Sequence, residues 1–192
     1  MSRGATARLF AAADLPEDVR ELISAWAREG ATAMGEGAWV RVLDPALLHV
    51  TLCFLGSRPV GELDALAAAL AAATGPAPEL SLGAPLWLPP RRARALAVAV
   101  HDEDGELGRL QARVQRALAG AGGWEPEDRR FRAHVTAARI RGGHAPSAEA
   151  RARLPATPSL QFAAASVTLY RSWLGPRGAS YEAIERWTLT PA

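Results

Sequence analysis

Apolar and polar positions along this chain switch repeatedly between a period of two and a period near 3.6. Residues 8–13 (RLFAAA) form an apolar run of strand length. After Asp14-Leu15-Pro16 the spacing becomes helical, with Val19, Leu22, Ile23 and Trp26 on one stripe. An early Pro16 and the acids Glu17 and Asp18 suit a helix N-terminus, and Gly30 is the expected stop. A loop at 35–37 precedes a short extended piece (39–42), a turn at Asp44-Pro45 and a strand over 47–55. A connector (56–61) leads to a helix over 62–73 of almost pure Ala and Leu, an apolarity that predicts burial on most sides. The breaker TGPAP introduces strands over 79–88 and 93–100, joined as a hairpin by Pro89-Pro90-Arg91-Arg92. A turn at 102–105 opens a helix over 106–118 with Leu107, Leu110, Val114 and Leu118 in register, stopped by the glycines of 120–123. A charged loop (124–130), a strand (131–140) broken at Gly142-Gly143 and a short helix (147–154) follow. Strands over 160–171 and 179–189, around a turn at 175–178, close the chain.

Strands and helices interleave, and a helix follows a strand in each half. The pattern reads as α+β, with two similar lobes in a single bilobal domain spanning 1–192. An apolar content of 49% supplies a core, and the most apolar stretch, 65–73, is too short to span a bilayer. The N-terminus turns acidic too early for a signal peptide, so the expectation is a cytoplasmic monomer away from membranes.

The chain carries 22 basic residues and every one is arginine. Without lysine there is no covalent lysyl-nucleotide intermediate, no side-chain Schiff base and no complete Walker phosphate loop. An ATP-dependent, lysine-adenylating ligase is therefore excluded. The net charge of +2 is too small to specify an anionic partner, so that case rests on where the arginines lie. The single cysteine, Cys53, excludes an internal disulfide and a multi-cysteine zinc site, and no histidine spacing supports a metal centre.

His-Val-Thr occurs twice, at 49–51 and 134–136, each time inside a strand-like run. Alternation puts His49 with Thr51 on one face and Val50 with Leu52 on the other; His134 and Thr136 repeat the arrangement. Two imidazoles near their ordinary titration range can serve as a general base and a general acid. Two hydroxyls can donate to the non-bridging oxygens of a phosphodiester. A strained ribose 2′,3′-cyclic phosphate suits such a site, which needs neither metal nor cofactor.

The same parity aims Arg132 at the cleft as a phosphate or RNA contact. Arg139 is the other possible phosphate or RNA contact, although its parity is opposite unless a bulge intervenes. Cys53 shares the His49 face but lies too far along it for a Cys–His nucleophile pair. Arg91, Arg92 and Arg94 form a basic tip read as solvated, with an RNA-backbone contact as the alternative, and Arg41 and Arg171 read as surface or structural. His101 and His144 sit in turn-like contexts, while Trp39, Trp87 and Trp124 are assigned to packing.

RLFAAADLP, WVRVLDPALLHVTLCFLG, RRFRAHVTAARI and VTLYRSWLGPRGASYEAIERWTL together resemble the RNA 2′,3′-cyclic phosphodiesterase family, also called 2′-5′ RNA ligases, among the two-histidine phosphoesterases. The resemblance runs essentially end to end. It implies two antiparallel sheets flanking a central cleft, with helices outside. It implies opening of 2′,3′-cyclic phosphates on RNA or nucleotides to 2′-phosphates, with 2′-5′ ligation as the reverse. His49 and His134 carry over as catalytic residues, and Thr51 and Thr136 as phosphate ligands. We assign His49 as proton donor and His134 as proton acceptor. Ala133, Ala137 and Cys53 depart from the usual family residues without touching those four positions. Two other readings fit the same residues: a non-catalytic RNA- or nucleotide-binding module, and a phosphodiesterase acting on 2′,5′-linked oligonucleotides.

Overall fold

A computed structural model describes residues 5–35, 39–126, 129–141, 146–175 and 178–191. Residues 36 and 37 of the expected loop, the Gly142-Gly143 break, His144 and the turn centre Pro176-Arg177 lie outside them. In chain order the elements are β1 (Thr6–Asp14), α1 (Glu17–Ala33), β2 (Val40–Val42), β3 (His49–Pro59), α2 (Leu63–Ala73), β4 (Glu79–Leu88) and β5 (Ala95–His101). They continue with α3 (Glu106–Gly122), β6 (His134–Ile140), α4 (Ala148–Ala152), β7 (Gln161–Ala163), β8 (Ser166–Gly175) and β9 (Gly178–Thr188). Short 3-10 turns at Pro45–Leu47 and Val60–Glu62 flank β3.

The strands pair in the order β7-β4-β5-β6-β3-β1-β8-β9, with β2 added to β6. Each named pairing is antiparallel. The two expected sheets are thus the halves of one connected sheet. They meet between β3 and β6 through a single registered pair, Val50 and Val135. Each major helix crosses to the other half: α1 packs against β2 and β6, and α3 against β3 and α2. The α+β class and the external helices agree with expectation.

The core forms on the helix side of the sheet. Leu9, Ala11 and Ala13 of β1 meet Val50, Val135, Val167 and Leu169, and helices add Ile23, Leu66, Leu70, Leu107, Leu110 and Val114. Full burial of each such Leu, Ile or Val contributes about 1.5–3 kcal/mol.

Several expectations change. Gly30 does not end α1, which continues to Ala33; it is a contact glycine, because a Cβ there would collide with the side chain of Leu154. Leu22 of the expected α1 stripe is 38% exposed. Helix α2 buries one face only, through Leu66, Ala67, Leu70 and Ala73. Alanine presents so little apolar surface, and favours helix so strongly, that it serves on the wet face as well. The expected strand over 160–171 is two strands, parted at Ala164-Ala165, where β7 leaves β4 and β8 begins beside β1. Helix α3 runs past Gly120 to Gly122 and ends at Gly123, whose φ of 60° is the left-handed conformation typical of a helix stop.

Candidate active site

Both motif strands carry the same local construction. In β3, Thr51 faces Ala12 and Cys53 faces Ala11 of β1, so Leu52 is an extra residue. In β6, Thr136 faces Ala97 and Ala138 faces Leu96 of β5, so Ala137 is extra. Each motif therefore places a β-bulge on its fourth residue, immediately after the threonine. The bulged carbonyls find donors outside the β1–β3 and β5–β6 pairings. Gln111 Nε2, from α3, donates to Leu52 O at 3.3 Å, and Leu43 N donates to Ala137 O at 2.9 Å. A buried carbonyl left bare costs about 1–3 kcal/mol, so these donors hold the bulges in place.

The bulges reset the alternation of side chains. Past Ala137, Arg139 comes to face Ala95, on the side that Thr136 shares with Ala97, and it lines the cleft. The simple parity that pointed it away fails for this reason. Past Leu52, Phe54 takes the cleft side opposite Phe10 and is 53% exposed. Cys53 is turned away from the His49 face, into the main core, and keeps only an edge on the cleft. The expectation that it shares a face with His49 is corrected by the same bulge.

The histidines are anchored alike. His49 Nδ1 bonds Leu47 O at 2.8 Å and His134 Nδ1 bonds Arg132 O at 2.7 Å, in each case two residues back. A carbonyl only accepts, so Nδ1 carries the hydrogen and Nε2 is left as the nitrogen available to a ligand. Extending the Val50–Val135 register one step each way sets His49 across from Thr136 and Thr51 across from His134. All four line one cleft of about 680 Å³.

Six arginines line that cleft too: Arg8, Arg94, Arg129, Arg130, Arg132 and Arg139. Among the described residues no carboxylate does. A near-neutral protein thus concentrates cations in one concavity, the arrangement that draws in a polyanion. Arg132 lies on the cleft as its parity predicts, and its carbonyl also anchors His134. Arg91, Arg92 and Arg94 are all exposed, as a solvated tip predicts, and of the three Arg94 also lines the cleft.

His49 is half-buried among rings: the Phe10 centroid lies 5.0 Å away, Tyr181 5.5 Å and Tyr170 5.9 Å. Both tyrosines of the chain therefore gather on this histidine. Burial pushes its pKa down to about 4; the Leu47 bond and the Asp14 charge oppose the shift, and Arg139 and His134 add to it. Asp14, across β1 from His49, is nearly buried and accepts from Ser166 (2.7 Å), Thr168 (2.6 Å) and Tyr170 (2.8 Å), with Arg186 Nε at 3.2 Å. Burial, reinforced by the Asp14 charge, raises the Tyr170 phenol above its usual range, which keeps it protonated as the donor to Asp14.

Sequence reasoning missed Asp14, the aromatic enclosure, Phe54, Arg8, Arg129 and Arg130. A bulge assumed after both threonines would have found Phe54. The Asp14 network joins residues more than 150 positions apart and has no local signature. His101 ends β5, exposed, with its ring over Gly83. Arg171 stacks on Trp173 at 4.8 Å, and Trp87 carries Arg151 at 5.1 Å. Trp124 is buried and donates to Phe54 O at 3.0 Å, and Trp39 packs on the core. Among the described residues, no group of three His, Cys, Asp or Glu side chains could hold a metal ion, and no helix is long and apolar enough to cross a membrane.

Comparison with known proteins finds relatives over nearly the whole chain. The chain is 31% identical over 191 residues to an RNA 2′,3′-cyclic phosphodiesterase of Thermus thermophilus, covering 95% of this chain and 90% of that one. It is 30% identical to the enzyme of the same name from Escherichia coli, covering 95% and 97%. A Geobacillus stearothermophilus relative of that name, also 30% identical, matches 95% of this chain, which spans 57% of the relative's length. Among solved structures, a Thermus thermophilus protein superposes with a TM-score of 0.77 at 26% identity, covering 96% and 98% of the two chains. Escherichia coli LigT complexed with 3′-AMP gives 0.75 at 26% identity, covering 97% and 99%. Residues 37–174 match the model of the 2′-5′ RNA ligase superfamily, and the chain belongs to that family.

Proposed function

We propose that this chain opens ribose 2′,3′-cyclic phosphates at RNA ends to leave 2′-phosphates, with 2′-5′ joining of RNA as the reverse reaction in the same cleft. It is an enzyme of the RNA 2′,3′-cyclic phosphodiesterase type. The observation that carries this reading is the convergence of two Nδ1-anchored imidazoles and two threonines on one arginine-lined cleft.

In the proposed reaction the phosphodiester enters as an anion drawn by the arginines. Thr51 and Thr136 donate to its non-bridging oxygens. Water approaches on the His134 side, where the anchoring bond to Arg132 is exposed to solvent. His134 Nε2 takes a proton from that water as its oxygen bonds to phosphorus. The bond from phosphorus to O3′ breaks opposite the incoming oxygen. His49 Nε2 gives its proton to O3′, and the ribose rests against the rings around His49. Turnover leaves His49 neutral and His134 protonated, and exchange with solvent restores both. With its pKa pushed down to about 4 by burial, His49 acquires its proton as the substrate's negative charge arrives beside it. Substrate binding at neutral pH is accordingly coupled to proton uptake.

The test is product analysis on RNA carrying a 2′,3′-cyclic end, with EDTA present. We expect 2′-phosphate ends and an unchanged rate. Binding without turnover would instead make the chain a recognition module, and 3′-phosphate ends would exchange the leaving oxygen. Cleavage of 2′,5′-linked oligonucleotides in parallel would assign the third reading. We also read the two halves as lobes of one domain and the protein as a cytoplasmic monomer, which sedimentation of the purified protein and fractionation of its host cells test.

A further inference from the structure

One corner of the cleft is built from uncharged side chains that the proposed reaction does not use. Phe54 stands there with its ring more exposed than not, a large apolar face in an arginine-lined space. Its ring centroid lies 6.1 Å from that of Phe10, which lies 5.0 Å from that of His49, so Phe54 is linked to the reacting imidazole through one intervening ring. Trp124 Nε1 donates to Phe54 O at 3.0 Å and holds the backbone that carries the ring. Helix α3 adds Gln111 and Gln115, one helical turn apart and both lining the cleft. Among the described residues these two amides bring the only side-chain carbonyl oxygens to the cleft, whereas its arginines only donate. Gln111 is 8% exposed. A carbonyl only accepts, so the nitrogen of the Gln111 amide must be the end that faces Leu52 O, at 3.3 Å. That bond sets the flip of the amide, and Oε1 is left with no partner among the described residues. Oε1 is not sealed off either, since Arg20 Nε is the one enclosed side-chain nitrogen or oxygen without a partner among those residues. Gln111 therefore presents an oriented acceptor to the cleft.

Resting on the proposed reaction, we infer that Phe54, Gln111 and Gln115 form a base-reading subsite, which holds the nucleobase of the nucleotide being opened and favours adenine. With the ribose against Phe10 and His49, its base meets the next ring out, and an exposed aromatic face is a stacking platform for any base. A purine covers more of that face than a pyrimidine does. The pinned acceptor of Gln111 then sorts bases by their edges. Adenine turns an exocyclic amino group to Oε1, whereas the oxygen of guanine or uracil in that place would be repelled. Cytosine carries an amino group too, on a smaller ring. Gln115 is not pinned in this way among the described residues, so its amide can offer either end and binds an edge without choosing it.

The experiment measures kcat/KM on the 2′,3′-cyclic phosphates of adenosine, inosine, uridine and base-free ribose. Inosine is the sharpest probe, because it keeps the purine rings and exchanges the amino group for an oxygen. We expect adenosine to exceed inosine and uridine about tenfold, and base-free ribose to fall at least about tenfold below adenosine. Gln111→Met keeps the length of the side chain and removes both ends of the amide, so the adenosine-to-inosine ratio should fall toward one. Reading a ratio cancels any loosening of the Leu52 bulge, which would slow all substrates together. Phe54→Leu should shrink the gain of adenosine over base-free ribose. Arg92→Gln, at the exposed hairpin tip, should alter neither ratio. Equal rates for adenosine and inosine in the wild type overturn the inference, as does a preference for inosine, which would assign base reading to the arginines. So does a ratio that survives Gln111→Met, or base-free ribose opened as fast as adenosine. No turnover of any of the four substrates would instead refute the reaction itself, independently of the subsite.

Discussion

The strands β3 and β6 share a backbone design and differ in what surrounds it. Both hold an imidazole by the carbonyl two residues back, follow it with a threonine and bulge at the next position. Around His49 the neighbours are rings and the buried Asp14 network; around His134 they are solvent and the Arg129–Arg132 rim. The residue five places on is Phe54 in one strand and Arg139 in the other, and both bulges turn it to the cleft. A shared backbone frame thus fixes where the two nitrogens are, while unshared neighbours give each its own electrostatic setting. In the proposed reaction, division of labour between acid and base needs only those neighbours to diverge.

The largest expected effect tests what the two strands share. His49→Ala and His134→Ala should each lower kcat/KM on a cyclic-phosphate end by at least about a hundredfold, with unchanged circular dichroism. A nitrophenyl phosphodiester, whose leaving group departs without a proton, then tests what they do not share. It should restore much of the rate to His49→Ala and little to His134→Ala; the opposite pattern would exchange acid and base.

Folding in acid comes next in size. His49 titrates near 4 in the native protein and near 6.5 when unfolded, so the unfolded chain binds more protons between those values. Stability should therefore fall as pH drops from about 6.5 to about 4, by at most about 3 kcal/mol from this residue. Urea titrations of wild type and His49→Gln measure it: the variant should lose that part of the acid dependence, and an unchanged slope would show the ring is not held neutral by its enclosure. Smallest is Asp14→Asn. Loss of the nearby negative charge makes His49 harder to protonate, so kcat/KM should fall by roughly three- to tenfold above about pH 5, and the deficit should close as pH falls toward 4. A deficit that stays the same down to pH 4 would assign Asp14 to folding alone.

Much of this was legible in the sequence because it is local. The repeated His-Val-Thr, the amphipathic stripe of α3 and the hairpin of β4 and β5 are each set by residues close in the chain. Side-chain facing past the threonines was not legible, because one extra residue in a strand inverts it. Arg139 and Cys53 exchanged faces for that reason, and only the partner strand reveals the bulge. Gly30 looked like a helix stop because its partner, Leu154, is more than a hundred residues away. The basic cleft escaped notice in a chain of net charge +2, because its arginines are contributed by four separate stretches.

The seam at Val50 and Val135 gives the molecule a fulcrum. Those valines sit between the histidine and the threonine of their respective motifs, so all four motif side chains lie beside the pivot. Any swing of one half against the other displaces points in proportion to their distance from it. The outlying jaws, Phe54, Arg94 and the β8–β9 hairpin, would travel furthest and the four central side chains least. Strands of differing bulk can then be admitted by one machine whose working parts keep their spacing.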